Sequence, residues 1–142
     1  MGTGGDLWNR FETMLNKLDF DGLDSLFASD AVYVDPAGRH EGGHAIRTWL
    51  DGFVLAFSDV RFETSRVIEQ ADTVVAEWTN HCTHTGPLTM SDGSVLPATG
   101  KSLDGPGVTI FDVKDGKIVF ARDYFDRLAG FGQPSPLRDA SS

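Results

Sequence analysis

Residues 116–126 read GKIVFARDYFD, an alternating apolar run with an aspartate in its middle. Alternation along a strand puts Val119, Ala121, Asp123 and Phe125 on one face and Ile118, Phe120, Arg122, Tyr124 and Asp126 on the other. Asp123 therefore shares its face with apolar side chains. Arg122, its neighbour in sequence, points the opposite way and is a poor partner. A carboxylate so placed must be paired, protonated or chemically active. The run follows KDG at 114–116, a hairpin turn, and the glycine-kinked strand SLDGPGVTIFDV at 102–113.

Upstream the pattern stays extended. VRFETSRVIEQ and TVVAEWTNHCTH flank a turn near Gln70–Asp72 and read as a hairpin. GPLTMSDGSVLPATG, rich in Gly, Pro and Ser, reads as a loop or small excursion. The first third is different. Leu7, Phe11, Met14, Leu15 and Leu18 recur at helical spacing, as do Ile46, Trp49, Leu50, Phe53 and Phe57. DGLDSLFAS predicts a second, short helix. AVYVDP is a strand that Pro36 ends, and GRHEGG is a loop. Helices first and strands after predict an α+β fold with segregated elements. Gly105 and Gly107 suggest a strongly bent sheet, with the helices across its concave face and a pocket inside the resulting cone. One domain over 1–132 is expected, with a short helix around Arg127–Phe131 closing it and a flexible tail at 133–142.

Composition bounds the function. The chain has 142 residues, 40% of them hydrophobic, enough for a core of its own. A formal net charge of −9 with no basic run argues against nucleic acid and anionic membrane surfaces as partners. No signal peptide or membrane-length apolar run is visible, and the one cysteine, Cys82, suits a reducing compartment. A cytoplasmic location is expected.

The same alternation assigns a lining. Ala31, Tyr33 and Asp35 share a face of the first strand. Val74, Ala76, Trp78, Asn80, Cys82 and His84 share one in TVVAEWTNHCTH, and Gly105, Gly107, Thr109, Phe111 and Val113 share one in the glycine strand. Small residues there would leave volume for a ligand. The expected pocket contains Tyr33, Asp35, Trp78, Asn80, Asp123 and Phe125. Its aromatic walls, two acids, amide and phenol fit a hydrophobic, oxygenated small molecule. Burial among Phe125, Trp78 and Val119 should raise the Asp123 pKa toward the range of a general base.

The layout resembles the NTF2-like, or SnoaL-like, superfamily of α+β cones over nearly the whole chain. THTGPL at 83–88 and PATGK at 97–101 are similar to the ester-cyclase and polyketide-cyclase branch. DGKIVFARDYFD at 115–126 is similar to the final strand of the limonene epoxide hydrolase family. In both branches the acid matching Asp123 is the catalytic base. Tyr33 matches a tyrosine that holds the hydrolytic water in the epoxide hydrolases, and Asp35 falls where they carry an asparagine on the same water. Two positions depart. The Arg and Asp of the hydrolases' central strand are Trp78 and Asn80 here, and the histidine that partners the base in many cyclases is matched by Thr109.

Other polar residues have plainer readings. HCTH at 81–84 splits His81 outward and His84 inward, so no metal site is expected. Cys82 reads as a small core thiol and Tyr33 as a packed ring with a satisfied hydroxyl. Asp35 also suits a turn start before Pro36, and His40 and His44 suit surface or helix-start roles. Trp49 and Phe53 read as core or pocket roof. The leading expectation is a cofactor-free cyclase or isomerase acting on a carbonyl compound, with Asp123 as base. Asn80, Tyr33 or a protonated Asp35 would stabilise the enolate, and Trp78, Phe125, His84, Trp49, Phe53 and Thr109 would contact substrate. The alternatives are an epoxide hydrolase or epoxide-opening cyclase and a non-catalytic ligand-binding module. A homodimer through outward residues such as Ile118, Phe120 and Tyr124 is expected under all three.

Overall fold

A computed structural model describes residues 2–90 and 92–126. The expected helix at 127–131 and the tail at 133–142 lie outside the described residues. The chain opens with α1 (Thr3–Lys17), makes a 3-10 turn at Leu23–Ser25, and enters β1 (Phe27–Asp35) and β2 (Gly38–Glu41). Helix α2 (Gly43–Ala56) precedes β3 (Arg61–Gln70) and β4 (Thr73–Thr83). A small hairpin, β5 (Leu88–Thr89) with β6 (Val95–Leu96), leads to the long β7 (Ser102–Lys114) and β8 (Lys117–Phe125).

Six strands form one sheet in the order β2-β1-β8-β7-β4-β3. Every pair is antiparallel except β1 with β8. The order explains how the first and last strands meet. β1 is laid down early, the chain leaves through α2, and β8 returns beside it. Helix α1 packs over β3 and β4, and α2 over β1 and β2. The apolar stripe of α1 (Leu7, Trp8, Phe11, Leu15) meets Phe27, Tyr33 and Phe111 from the sheet in an aromatic cluster with ring centroids 5.5–6.1 Å apart. The expected α+β architecture, a curved mixed sheet with helices over one face, is the observed one.

Three local expectations are corrected. DGLDSLFAS does not form a helix. Only one 3-10 turn survives, because Phe27 already pairs with Ile118 of β8 and the Ile118 amide donates to Leu26 O at 2.8 Å. GRHEGG is not all loop, since Gly38–Glu41 is an edge strand paired with β1. At 86–100, read as a loop or small excursion, the excursion is the β5–β6 hairpin.

The third correction falls on the opening segment. The β7–β8 register steps from Asp112↔Phe120 to Val113↔Ile118, so Val119 is an extra residue in a bulge. A bulge resets the alternation. Ile118 and Ala121 both face the core, each with no solvent exposure, and Val119 leaves the inner row. Ile118 is therefore not an outward residue and cannot contribute to an interface.

Candidate active site

Tyr33, Thr109 and Asp123 come from three adjacent strands on the concave face. The registers that unite them are Tyr33↔Ala121 and Thr109↔Asp123. Tyr33 Oη donates to Asp123 Oδ1 at 2.7 Å, and Thr109 Oγ1 donates to the same oxygen at 2.7 Å. The Thr109 hydroxyl is itself fixed, because Trp78 Nε1 donates to it at 2.9 Å. A chain Trp78 → Thr109 → Asp123 ← Tyr33 thus orients the carboxylate entirely through Oδ1. Oδ2 has no hydrogen-bond partner among the described residues.

Electrostatics follow from this burial. Desolvation pushes the Asp123 pKa up, to about 7, against the opposing pull of the Thr109 and Tyr33 hydroxyls, with the charge of Asp35 adding to the rise. The Tyr33 phenol is pushed well above its ordinary value, first by burial and then by the adjacent Asp123 charge, so it stays a donor. Arg122 projects from the outer face, bonded to Asp112 at 2.8 Å and over the Phe120 ring, and is engaged there rather than with Asp123.

Asp123 opens onto a cleft of about 520 Å³ at the ends of β1 and β8, lined by Val34, Asp35, Pro36, Phe120, Arg122, Asp123, Tyr124 and Phe125. Asp35 is the second acid of this cleft. Its Oδ1 accepts from Gly38 N at 3.0 Å and meets His40 Nε2 at 3.1 Å. The His40 ring stacks on Trp49, centroids 4.6 Å apart, and Trp49 lies 4.7 Å from the Tyr33 ring.

The ten candidates read from sequence therefore divide. Asp123, Tyr33, Thr109, Trp78, Asp35, Phe125 and Trp49 form one connected group. Thr109 belongs to it as an orienting hydroxyl, buried and saturated, and not as a substrate contact. Asn80, His84 and Phe53 stand apart. Asn80 is four residues along β4 from Ala76, the residue level with Thr109, which is about 13 Å of strand. Its Oδ1 is buried with no partner among the described residues. His84 is fully buried at the far end, its ring against Phe57, which also meets Phe53. There Nδ1 accepts from Thr99 N and sits 3.0 Å from Thr99 Oγ1, while the His84 main chain exchanges bonds with Lys101 and Gly100. THTGPL and PATGK thus fasten the end of β4 to its return loop and to α2, whose Ala56 O accepts from Thr85 N and Gly86 N.

Gly107 does not leave a hollow. A Cβ there would overlap the Trp78 ring, so the indole occupies that space. His81 points outward to Asp104 at 2.8 Å, and no described cluster of three His, Cys, Asp or Glu could hold a metal ion. Burial pushes the Cys82 thiol up to about 12, with the Asp59 and Asp104 charges adding to it, which makes it a poor nucleophile. No described helix is long and apolar enough to cross a membrane.

The SnoaL-like domain family model matches residues 8–121. The chain belongs to the SnoaL-like family. Among solved structures, a protein assigned as a SnoaL-like polyketide cyclase from Jannaschia sp. CCS1 aligns with TM-score 0.80 at 18% identity, over 94% of each chain. A SnoaL-like polyketide cyclase from Agrobacterium tumefaciens str. C58 aligns with TM-score 0.74 at 23% identity, over 91% of this chain and 95% of that one. A protein with a ketosteroid isomerase-like fold from Catenulispora acidiphila, in complex with trimethylamine, aligns with TM-score 0.73 at 20% identity, over 90% and 93%. At these identities the structures show a shared NTF2-like fold. Among curated proteins, no relative matches the chain.

His40 is the site residue that the sequence reading missed. The signal was present in DPAG, with Asp first, Pro second and Gly fourth, the pattern of a type I turn. Read as a two-residue hairpin loop, it sets Asp35 opposite Gly38 and hence Tyr33 opposite His40, which is the observed register.

Proposed function

We propose that this chain is an acid–base enzyme of the cyclase or isomerase type, acting on a hydrophobic carbonyl compound with Asp123 as general base. One observation carries the reading. The carboxylate is anchored at Oδ1 by two hydroxyls, has Oδ2 without a partner, and borders a cleft with apolar walls from Val34, Pro36 and Phe125. A base held at about 7 is half ionised near neutral pH, where it accepts a carbon-bound proton most usefully. Asp123 Oδ2 takes the proton beside the carbonyl, and the C–H electrons pass to the carbonyl oxygen. The enolate then attacks an internal carbonyl or is reprotonated at another carbon. Reprotonation returns the Asp123 proton to carbon, whereas ring closure forms one carbon–carbon bond at the expense of the attacked carbonyl's π bond, and the resulting alkoxide takes the proton back from Asp123.

Hydrogen–deuterium exchange at activated C–H positions, followed by NMR in deuterium oxide over a panel of β-diketones, polyketide-like esters and enones, tests this. Exchange should depend on Asp123 and vanish in Asp123→Asn. Wild-type exchange that survives the substitution overturns the assignment.

A second reading rests on the facing carboxylates. Asp123 and Asp35 could both accept from one water, which would open an epoxide. Trp78 and Asn80 oppose it, because the central strand then offers no acid to protonate the epoxide oxygen. Diol formation from terpene-like epoxides, with no carbonyl exchange, would favour it.

A further inference from the structure

We propose that Asn80 is a specificity-determining residue whose carboxamide binds a second carbonyl oxygen at the far end of an elongated substrate. The inference deepens the reading of Asp123 as base, which fixes the reacting end. The inner face of the sheet is ordered in rows. Asp123 stands level with Thr109 and Ala76, Phe125 with Gly107 and Trp78, and Gly105 with Asn80 and Phe62. A molecule with its acidic carbon at Asp123 therefore meets an aromatic pair next and the carboxamide last, about 13 Å along the strands.

The floor changes height along these rows. At Gly107 the Trp78 indole fills the space a Cβ would take, and the Phe125 ring lies 6.1 Å from it. At Gly105 a Cβ would meet nothing described within 4 Å, and β8 has already ended at Phe125. An open step thus lies beside Asn80, behind an apolar wall.

The carboxamide itself is unused by the fold. Asn80 is half-buried. Its Oδ1 is turned into the wall without a hydrogen-bond partner among the described residues, and Nδ2, which bonds no described residue either, is the end that reaches the surface. Asn16 of α1 shows the opposite case at Phe62, the residue facing Asn80 across the ladder. Its Nδ2 donates to Phe62 O at 3.0 Å and its Oδ1 accepts from Phe62 N at 2.7 Å, so both ends of that amide fasten α1 to β3. A half-buried amide that holds nothing together costs stability. Such a cost is retained where a ligand completes the bond. Nδ2 carries donors only, so the group it takes is an oxygen acceptor. Trp78 and Phe125, between the two ends, call for a flat, apolar middle section. The substrate class is thus a long, flat compound with an acidic C–H beside one carbonyl and a further carbonyl at the opposite end.

A matched pair of probes tests this: a biphenyl carrying an acetoacetyl group at one para position and either an acetyl or an ethyl group at the other. The two share length and shape, and the acetyl compound alone offers the distal acceptor. Isothermal titration calorimetry on the whole chain should show the acetyl probe bound about 3- to 10-fold more tightly, the effect of one neutral hydrogen bond. In Asn80→Leu that ratio should vanish or invert, since the ethyl group then meets an apolar side chain. Gly105→Val fills the open step. It should weaken both biphenyls about tenfold relative to benzoylacetone, which shares their reacting end and stops short of Asn80. The urea midpoint of Asn80→Leu should equal or exceed that of the wild type, because a buried, unbonded oxygen is removed.

Equal affinity for the two biphenyls, no measurable binding of either, or a preference that survives in Asn80→Leu would overturn the role of Asn80. So would a lowered urea midpoint in that variant, or a Gly105→Val that weakens benzoylacetone as much as the biphenyls. Deuterium exchange at the diketone methylene of the bound probes is scored separately. If the acetyl preference is present and depends on Asn80 but the methylene does not exchange, the base role of Asp123 fails and recognition by Asn80 stands.

Discussion

Asp123 and His84 are both polar side chains on the inner face of one sheet, yet their surroundings differ in kind. His84 is sealed. Its Nδ1 takes the Thr99 amide, its ring lies against Phe57, and its main chain is bonded on both sides to the 100–101 segment. Asp123 is anchored just as firmly, by Tyr33 and Thr109, but through one oxygen only, and it borders a cleft. His84 is fully buried and Asp123 half-buried, so withdrawal from solvent alone does not mark function. What distinguishes Asp123 is an atom left unpaired on the solvent-reachable side of a rigidly held group. The two residues should therefore fail in opposite ways when replaced.

Asp123→Asn gives the largest effect. Turnover of a carbon-acid substrate should fall on the order of 10³-fold, since general-base assistance is lost while the amide oxygen still accepts both hydroxyls. Stability should move the other way. The folded-state pKa is raised from 3.8 to about 7, so the native protein binds a proton more tightly than the unfolded chain between those values. The contribution of Asp123 to wild-type stability is then fullest below the lower value and declines as pH rises toward the upper one, by at most about 4 kcal/mol. Urea melts at acidic and mildly alkaline pH check the sign. Asparagine should stabilise at the alkaline end and be near neutral at the acidic end, and the reverse order would refute the desolvation argument.

His84→Ala should cost about 2–4 kcal/mol through the lost clamp and the void beside Phe57. Per folded molecule, exchange activity should be unchanged. A selective loss of activity with unaltered melting would erase the contrast with Asp123 and return His84 to the substrate contacts that its inward face first suggested.

Much of this contrast was legible in the chain, and the failures have identifiable causes. Alternation placed Tyr33, Asp35, Trp78, Asn80 and Asp123 on the inner face because each lies on a regular stretch of ladder, and it carried one residue past the end of β4 to His84. It failed at Val119, since a bulge depends on the partner strand and leaves no mark in its own side chains. It missed β2 because Gly-Arg-His-Glu has no strand propensity, and pairing with β1 overrides that composition. It assigned Gly107 to the right face but not the right use. Face assignment says where a side chain could go, not which neighbour fills the space. The division between the Asp123 group and the His84 end was likewise invisible, because alternation orders residues across a strand without measuring distance along it.

The two glycines of β7 turn that last point into a measurement. A Cβ at Gly107 would overlap the Trp78 indole, which is anchored to Thr109 and packed edge-on to Phe62 at 4.9 Å. A Cβ at Gly105 would meet nothing described within 4 Å. Gly107→Ala should therefore destabilise by about 2–3 kcal/mol. Gly105→Ala should stay within roughly 1 kcal/mol of wild type and can be slightly stabilising, since alanine loses less entropy in a strand. Equal effects in denaturant titrations would mean that Trp78 does not lie across Gly107.

The smallest expected effect probes the anchoring itself. Thr109 carries one hydroxyl that accepts from Trp78 Nε1 and donates to Asp123 Oδ1. Thr109→Val keeps the shape and removes both bonds. Because that hydroxyl lowers the Asp123 pKa, its loss should move the acidic limb of the pH–rate profile upward, and activity at pH 7 should fall about 3- to 10-fold as the ionised fraction shrinks. The indole N–H is left buried without a partner, at a cost of about 1–2 kcal/mol in stability. Thr109→Ser restores the hydroxyl and should return the pH midpoint to the wild-type position, even though the missing methyl leaves stability short of wild type. That separation of midpoint from stability is the decisive feature. If valine and serine shift the profile alike, the hydroxyl does not tune the base, and Asp123 is held by packing and Tyr33 alone.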